Sequence, residues 1–411
     1  MKILVLNSGS SSQKTCLYEI SSTLPENPPP CLWQGKIEWD GEFAASEIRN
    51  SRGFVSKERL KLSSRSEALE RLLKSSWSGE ARTLGSPSEI DVVGHRVVHG
   101  GPHYAEPILI TAEVRSAIAA VAGFAPLHNR AELDGMELIE KLLGSVPQVA
   151  VFDTGFHRHL PSSASVYPGP YEWFTEGIRR YGFHGINHQY CAHRAARLLR
   201  RDLRSLKLVS CHLGNGCSLA AIEAGRSIDT TMGFTPLEGL MMGTRSGSID
   251  PGILIYLLRQ KKLSAQELDN VLNNQSGLLG ISGFSGDMRK ILAGRNAGEQ
   301  RAQLAFDIYV HRLRSEIGAM IASLGGIDAL VFTAGVGENS PEVRTAACQQ
   351  FEFIGLKLDG DANNNSTDSD RDIAAPHSRV RVLVIHAQED WQIATECWQL
   401  VHTSVVQQKT S

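Results

Sequence analysis

The 411-residue chain has no Cys-x-x-Cys pair, no long apolar run and no excess of charge of either sign. Each absence excludes something. Its seven cysteines (16, 31, 191, 211, 217, 348, 397) are scattered and odd in number, so they read as small buried hydrophobes of a reducing compartment. A disulfide framework or a zinc site would need another spacing. No stretch approaches the ~18 apolar residues that span a bilayer, and the opening ILVL is too short for the apolar region of a signal peptide. The expectation is a cytoplasmic protein with no membrane partner. Forty-two basic residues against 44 acidic give a net charge of -2, which argues against nucleic acid as a partner. Common nucleotide fingerprints are missing as well. There is no Gly-x4-Gly-Lys-Ser/Thr, the two GxG turns have Leu219 and Ser340 where a third glycine would fall, and protein-kinase signatures are absent.

What is present is an ordinary globular composition, 42% hydrophobic and 21% charged, on a chain long enough for two or three domains. Short apolar runs alternate with helical patterns, which predicts an α/β class. Strands are expected at 3–6, 92–93, 149–152, 206–210, 329–333 and 380–385. Apolar residues at helical spacing predict a helix from about Gln300 to Leu324, stopped by Gly325 and Gly326. Ser264 and Glu267 form a capping-box signature, and Asn129 precedes an amphipathic helix carrying Leu133, Leu138, Ile139 and Leu142. Segments 21–30 and 359–372 read as loops, the second as a polar surface excursion without chemistry. KILVLNSGSSSQKTCLYEI and KLVSCHLGNGCSLAAIEAG both read strand, polar turn, strand, which suggests two related halves.

Three glycine-bearing turns follow apolar strands: NSGSSSQK at 7–14, HLGNG at 212–216 and AGVGENS at 334–340. Glycine lets backbone N–H groups approach phosphate oxygens with no Cβ in the way. Arg96 in GHRVVHGG and Arg245 in LMMGTRSGSIDPG sit beside such small residues, in the manner of clamps for carboxylate or phosphate oxygens. Asp153 follows the strand AVF, and His184 lies between Phe183 and Gly185; singly, these read better as a helix cap and a satisfied core histidine. Together the groups suggest phosphoryl transfer, in which catalysis positions and neutralises charge on the migrating group. Asn7 and the acidic pair Glu389–Asp390 are plausible oxygen ligands for Mg²⁺.

In this order, NSGSSSQK, GHRVVHGG, VFDTGFH, YGFHGINH, CHLGNG, LEGLMMGTRSGSIDPG, SGLLGISGFSGDMR and FTAGVGENSPEVR resemble the acetate kinase family over residues 3 to about 395. The resemblance implies an α/β protein of two ribonuclease-H-like (actin-like ATPase) domains with a nucleotide cleft between them, assembled as a homodimer. The first domain would be 1–153 plus about 391–411, and 154–390 would bind the nucleotide. The implied reaction is reversible, direct in-line transfer between ATP and acetate, giving ADP and acetyl phosphate, with Mg²⁺ (or Mn²⁺). Asn7 and Glu389 would hold the metal, while Lys14, Ser10 and Ser12 would face the phosphates. Arg96 would bind the substrate carboxylate, and Arg245 and His184 would stabilise the transition state; Asp153 would match the family's acid/base residue, expected here to act chiefly by orienting Arg and metal-bound water, because acetate is already ionised.

By the same resemblance, His212, Leu213, Gly214, Asn215, Gly216, Asp287, Met288, Arg289, Gly335, Val336, Gly337, Glu338 and Asn339 would line the nucleotide. Val98, Leu127, Phe183 and Pro236 would enclose the methyl group. The chain departs from the family pattern at Ser248, Gly286, FHGINH and AQED. A propionate or butyrate kinase of the same fold, or a non-catalytic actin-like ATP-binding sensor, are the alternatives.

Overall fold

The structure is a computed structural model describing residues 1–9, 12–40, 43–61, 64–121, 126–365, 367 and 369–410, with backbone alone for 40, 126–128 and 403–410. The chain divides into two compact units, Met1–Gly155 with Gln388–Ser411, and Phe156–Ala387.

In the first unit, eight strands form one sheet: β1 (Lys2–Ser8), β2 (Ser12–Glu19), β3 (Trp33–Asp40), β4 (Phe43–Asn50), β5 (Val55–Lys61), β6 (Val92–Val97), β7 (Ile108–Leu109) and β8 (Gln148–Phe152), ordered β5-β4-β3-β2-β1-β6-β8-β7. β1, β6 and β8 run parallel, and the meander β1 to β5 is antiparallel. Ile3 to Leu6 are buried on both faces, which is why β1 reads as a continuous apolar run without alternation. One face packs Leu4, Leu6 and Leu17 with Trp33, Leu72, Leu138 and Ile139. Against β1 and β6 lies the closing helix Glu389–Thr410. The approach is tight at Gly94, where a Cβ would sit 2.6 Å from Cys397 Sγ.

The second unit repeats the plan. Its six strands are β9 (Lys207–Leu213), β10 (Cys217–Glu223), β11 (Arg226–Thr230), β12 (Ala329–Thr333), β13 (Arg371–Asp372) and β14 (Arg381–Val384), in the order β11-β10-β9-β12-β14-β13. β9 pairs antiparallel with β10 and parallel with β12, and β12 pairs parallel with β14. The core β3-β2-β1-β6-β8 and the core β11-β10-β9-β12-β14 therefore have one order and one set of directions. The two hairpins noticed in the sequence, β1–β2 and β9–β10, hold the same place in their sheets.

The helix Gln300–Leu324 has the expected limits and ends at Gly325 with φ +63°, and the Ser264–Glu267 capping box is formed. Three local readings change. Asn129 lies inside its helix, which begins at Pro126, a residue whose fixed φ suits the first helical position. Residues 334–339 form a short helix and not a turn. The segment 359–372 contains the helix Gly360–Asn364 and β13, so it is part of the fold. Asn363 in it is buried and accepts from the Arg344 guanidinium at 2.8 Å.

Candidate active site

In the first unit three parallel strands end together, and their ends carry the polar residues. Leu6 stands beside His95 across β1 and β6, and Arg96 beside Val151 across β6 and β8. Arg96 is thus one residue past the first of these pairs, and Asp153 directly follows β8, its N–H donating to Val97 O at 2.8 Å. Arg96 Nη2 donates to Asp153 Oδ2 at 2.9 Å, and Nη1 donates to Ser8 O at 3.0 Å. The pair is enclosed, with side chains 12% and 1% exposed. Burial favours the neutral guanidine, but the carboxylates of Asp153 and Glu389 outweigh it and hold Arg96 firmly charged. Asn7 Nδ2 donates to Glu389 Oε2 at 3.0 Å and to Asp390 Oδ1 at 2.9 Å. Those two acids open the closing helix, where its positive end favours negative charge. Lys14 faces Asn7 across the β1–β2 ladder, with its side chain exposed. Gly9 N donates to Ser12 O at 2.8 Å and closes the hairpin turn. Ser10 lies outside the described residues, as does the side chain of Leu127.

In the second unit the same strand ends hold imidazoles. His184 caps the helix Gly185–Leu199 with φ +58°, a left-handed backbone that costs a non-glycine residue about 1 kcal/mol or more and points to a constrained position. Its ring stacks on that of His212, with centroids 4.0 Å apart and planes 8° from parallel. Asn187 Nδ2 donates to His212 Nδ1 at 2.8 Å, which puts the His212 proton on Nε2. Ser218 Oγ lies 2.9 Å from His184 Nδ1 and 2.8 Å from His188 Nε2, and Ser210 Oγ lies 2.9 Å from His188 Nδ1. Donation running from Ser210 through His188 and Ser218 leaves the His184 proton on Nε2, and donation running the other way leaves it on Nδ1. A Cβ on Gly216 would lie 3.4 Å from His184 Nε2 and 3.5 Å from Arg245 Nη1. Histidine and arginine therefore converge beside the glycine turn. Arg245 Nη1 is steadied by Pro236 O at 3.2 Å.

The remaining nucleotide candidates sit in short, capped elements of this unit. Leu213 ends β9, and Gly214 N donates to Gly216 O at 3.0 Å. Residues Gly335, Val336, Gly337, Glu338 and Asn339 form the helix after β12, which opens at Ala334 with φ +64°. Buried Arg344 donates to Gly337 O and Glu338 O at 2.9 and 2.8 Å and pins that helix. Asp287 caps the helix Met288–Asn296 and pairs with Arg289 Nη2 at 2.6 Å. Gly286, a departure from the family pattern, leaves room for a neighbouring loop: a Cβ there would meet Gly243 O at 2.7 Å. Ser248 accepts from Gly239 N at 3.0 Å. Of the residues read as an acyl pocket, Val98 belongs to the first unit, and Phe183 and Pro236 to the second.

Sequence reasoning missed Glu132. Fully buried on the helix Pro126–Leu143, it accepts from Val98 N through Oε1 at 3.0 Å. Its Oε2 is buried and has no hydrogen-bond partner among the described residues. Burial pushes its carboxyl up to about 8, against the pull of Arg96 and the Val98 N–H, and Asp153 pushes the same way as burial. The signal was present, because Glu132 shares the helical face of buried Met136 and Ile139. Ser218 and Arg344 were missed because their roles come from tertiary partners.

Two α/β units built on one strand order, with charged and polar groups gathered where parallel strands end, define the two-domain actin-like ATPase class. The chain belongs to the acetokinase family, whose model matches residues 2–395. It is 60% identical over 406 residues to an acetate kinase of a Cyanothece species, covering 98% of this chain and 99% of that one. It is 59% identical over 403 residues to an acetate kinase of Gloeobacter violaceus, covering 97% and 99%. The crystal structure of Porphyromonas gingivalis acetate kinase matches with a TM-score of 0.88 at 38% identity, covering 97% and 99%. A propionate kinase from Francisella tularensis matches with 0.86 at 36% identity, covering 96% and 98%. Among the described residues, no helix is long and apolar enough to cross a membrane.

Proposed function

We propose that this chain catalyses reversible transfer of the γ-phosphoryl group of ATP to acetate. The observation that carries this reading is the convergence of His184 Nε2 and Arg245 Nη1 beside the Gly214–Gly216 turn. Two donors aimed at one point suit the charge that spreads over the equatorial oxygens of a migrating phosphoryl group. Arg96, kept charged by Asp153, offers a guanidinium to the acetate carboxylate. An acetate oxygen attacks the γ-phosphorus as the bond to the ADP oxygen breaks. Acetate is already ionised at neutral pH, so no base is needed, and Asp153 serves to orient Arg96. Lys14 and the two hairpin turns contact the phosphates, and residues 287–289 and 335–339 line the nucleotide.

Mg²⁺ suits the first unit. Among the described residues, no group of three or more His, Cys, Asp or Glu side chains is placed to hold a metal, but Mg²⁺ commonly takes one or two protein carboxylates and completes its shell with water and substrate phosphates. Asn7 and Glu389 would hold it, with Asp390 sharing the Asn7 amide. When bound, the ion would neutralise phosphate charge. A homodimer is supported by the helix Pro251–Gln260, which leaves Ile253, Ile255, Tyr256 and Leu258 exposed together. Light scattering of the purified chain at the mass of one copy would remove that assignment. Seven free cysteines support a reducing compartment, the cytoplasm.

Incubation with Mg-ATP and acetate, propionate or butyrate, with hydroxylamine to trap acyl phosphate, tests the reaction. Acetate is expected to give the highest kcat/KM. One methylene in an apolar pocket is worth about 1–3 kcal/mol, so propionate is a slower substrate; a preference for it would favour the reading suggested by the Francisella tularensis neighbour. No hydroxamate with any acid would leave a nucleotide-binding protein without this activity.

A further inference from the structure

Between β11 and the helix Pro251–Gln260 the chain runs through the described residues 231–250 without helix or strand, yet this segment carries both Pro236 and Arg245. So long a stretch of irregular backbone keeps one shape only when side chains hold it. Three side chains do so here. Arg180 Nη1 donates to the carbonyls of Thr230, Thr231 and Met232 at 3.1, 3.0 and 3.0 Å, and its Nη2 donates to Glu238 Oε1 at 2.6 Å. The Tyr167 hydroxyl donates to Glu238 Oε2 and accepts from Phe234 N at 2.8 Å. Gly233 leaves the space these groups fill, because a Cβ there would overlap Glu238 Oε2 and the Tyr167 hydroxyl.

The same arginine stands four residues before His184. Tyr181 N and Gly182 N, between the two, both donate to Gly233 O, at 3.1 and 3.3 Å. The segment leading to His184 is thus tied to the loop whose Pro236 O steadies Arg245 Nη1 at 3.2 Å. We propose that Arg180, Glu238 and Tyr167 are positioning residues, a brace that registers His184 against Arg245 so that the two meet beside the Gly214–Gly216 turn. The proposal rests on the phosphoryl-transfer reading of that meeting point.

Arginine suits the place because its planar fork gives one nitrogen to backbone carbonyls and the other to a carboxylate at a fixed angle, which the compact ammonium of lysine does not. The brace acts through the backbone on which the two donors sit. Groups that stabilise a transition state have to be aimed before the reaction, and a misplacement of about 1 Å can cost on the order of 10²-fold in rate.

Two measurements on the full-length protein test the brace. Hydrogen–deuterium exchange reads the loop itself: Glu238→Ala should exchange faster than wild type in peptides covering 178–184 and 231–250, with the rest of the chain unchanged. Turnover with Mg-ATP and acetate reads the alignment. Glu238→Ala should lower kcat by about 10–100-fold with little change in ATP KM, and Glu238→Gln, which keeps an oxygen for Arg180, should recover most of the loss. Tyr167→Phe removes a single hydroxyl and should move both readouts in the same direction by less, which decides the matter if Glu238→Ala does not fold. In an Arg245→Ala background, Glu238→Ala should cost clearly less than it does in wild type, because one of the donors it aims is gone. Losses that simply multiply would mean that brace and donor act independently, and would overturn the proposal. Faster exchange with an unchanged kcat would overturn it too, as a brace that serves the fold alone, and so would unchanged exchange. If the wild type makes no acyl phosphate, exchange still decides whether the brace holds the loop, and it is the reaction assignment that fails.

Discussion

The two units share a strand order and differ in what they place at the strand ends. At the ends of β1, β6 and β8 the first unit gathers full charges: Arg96 with Asp153, and Asn7 with Glu389 and Asp390. At the ends of β9 and β12 the second unit gathers imidazoles, with His184 on His212 and both rings held by serine or asparagine partners. The same topology therefore frames two chemistries. Buried charges are stable only when paired, so the first unit must build pairs and is sensitive to losing one member. Stacked imidazoles need only hydrogen-bond partners, so the second unit depends on direction, which Ser218 and Asn187 set.

The strongest test of that contrast is Arg245→Ala. It removes a donor expected to act in the transition state, so kcat should fall by roughly 10²–10³ while ATP KM changes little. Steady-state kinetics at saturating acetate check this, and an unchanged kcat would take the second unit out of transition-state stabilisation. Arg96→Ala should behave differently, because it takes the guanidinium away from the buried Asp153 carboxylate. A stability loss of about 3–5 kcal/mol by urea unfolding is expected, together with a raised acetate KM. Adding Asp153→Asn should recover part of the stability and none of the acetate affinity. Recovery of both would mean that Arg96 is purely structural.

Glu132 gives a smaller and pH-dependent effect. Its folded-state value is raised from 4.5 to about 8. The stability linked to its neutral form is therefore fully present below about 4.5 and is lost as pH rises through 8. Relative to Glu132→Gln, the wild type should lose stability across this window, by at most about 1.4 kcal/mol per pH unit. Melting temperatures at several pH values between 4 and 9 check it; parallel curves would show that Glu132 is ionised throughout. Least of all, Lys14→Ala on the exposed side of β2 should raise ATP KM up to about tenfold by removing one phosphate contact, with no change in stability. If affinity and turnover are both unaffected, the first hairpin turn does not serve phosphate.

Much of this was legible before any coordinates. The buried strands β1, β8, β9 and β12 announced themselves as apolar runs, and the helix at 300–324 as a periodic pattern with two glycines behind it. Arg96, Arg245, Asp153 and His184 stood out because charged or polar residues rarely sit among glycines and strand ends without a reason. The segments 334–339 and 359–372 were misread, since glycine and polar residues are turn formers by local preference. Here Arg344 satisfies the carbonyls of the short helix and uses Asn363 as its own anchor. Local propensity cannot report a partner nineteen residues away.

By itself, the sequence determined the α/β class, the repeated hairpin and the residue types available for handling phosphate, because apolar periodicity and glycine placement are local properties. Tertiary structure alone decided which of those residues act together. Arg96 meets Asp153 only because β6 and β8 are parallel neighbours in register. His184 stacks on His212 only because its helix starts, in a strained left-handed residue, against the end of β9. Glu132 is an ordinary helical glutamate in the chain and a buried acid with a perturbed proton in the fold, since burial and the company of Arg96 and Asp153 are not written in any one segment.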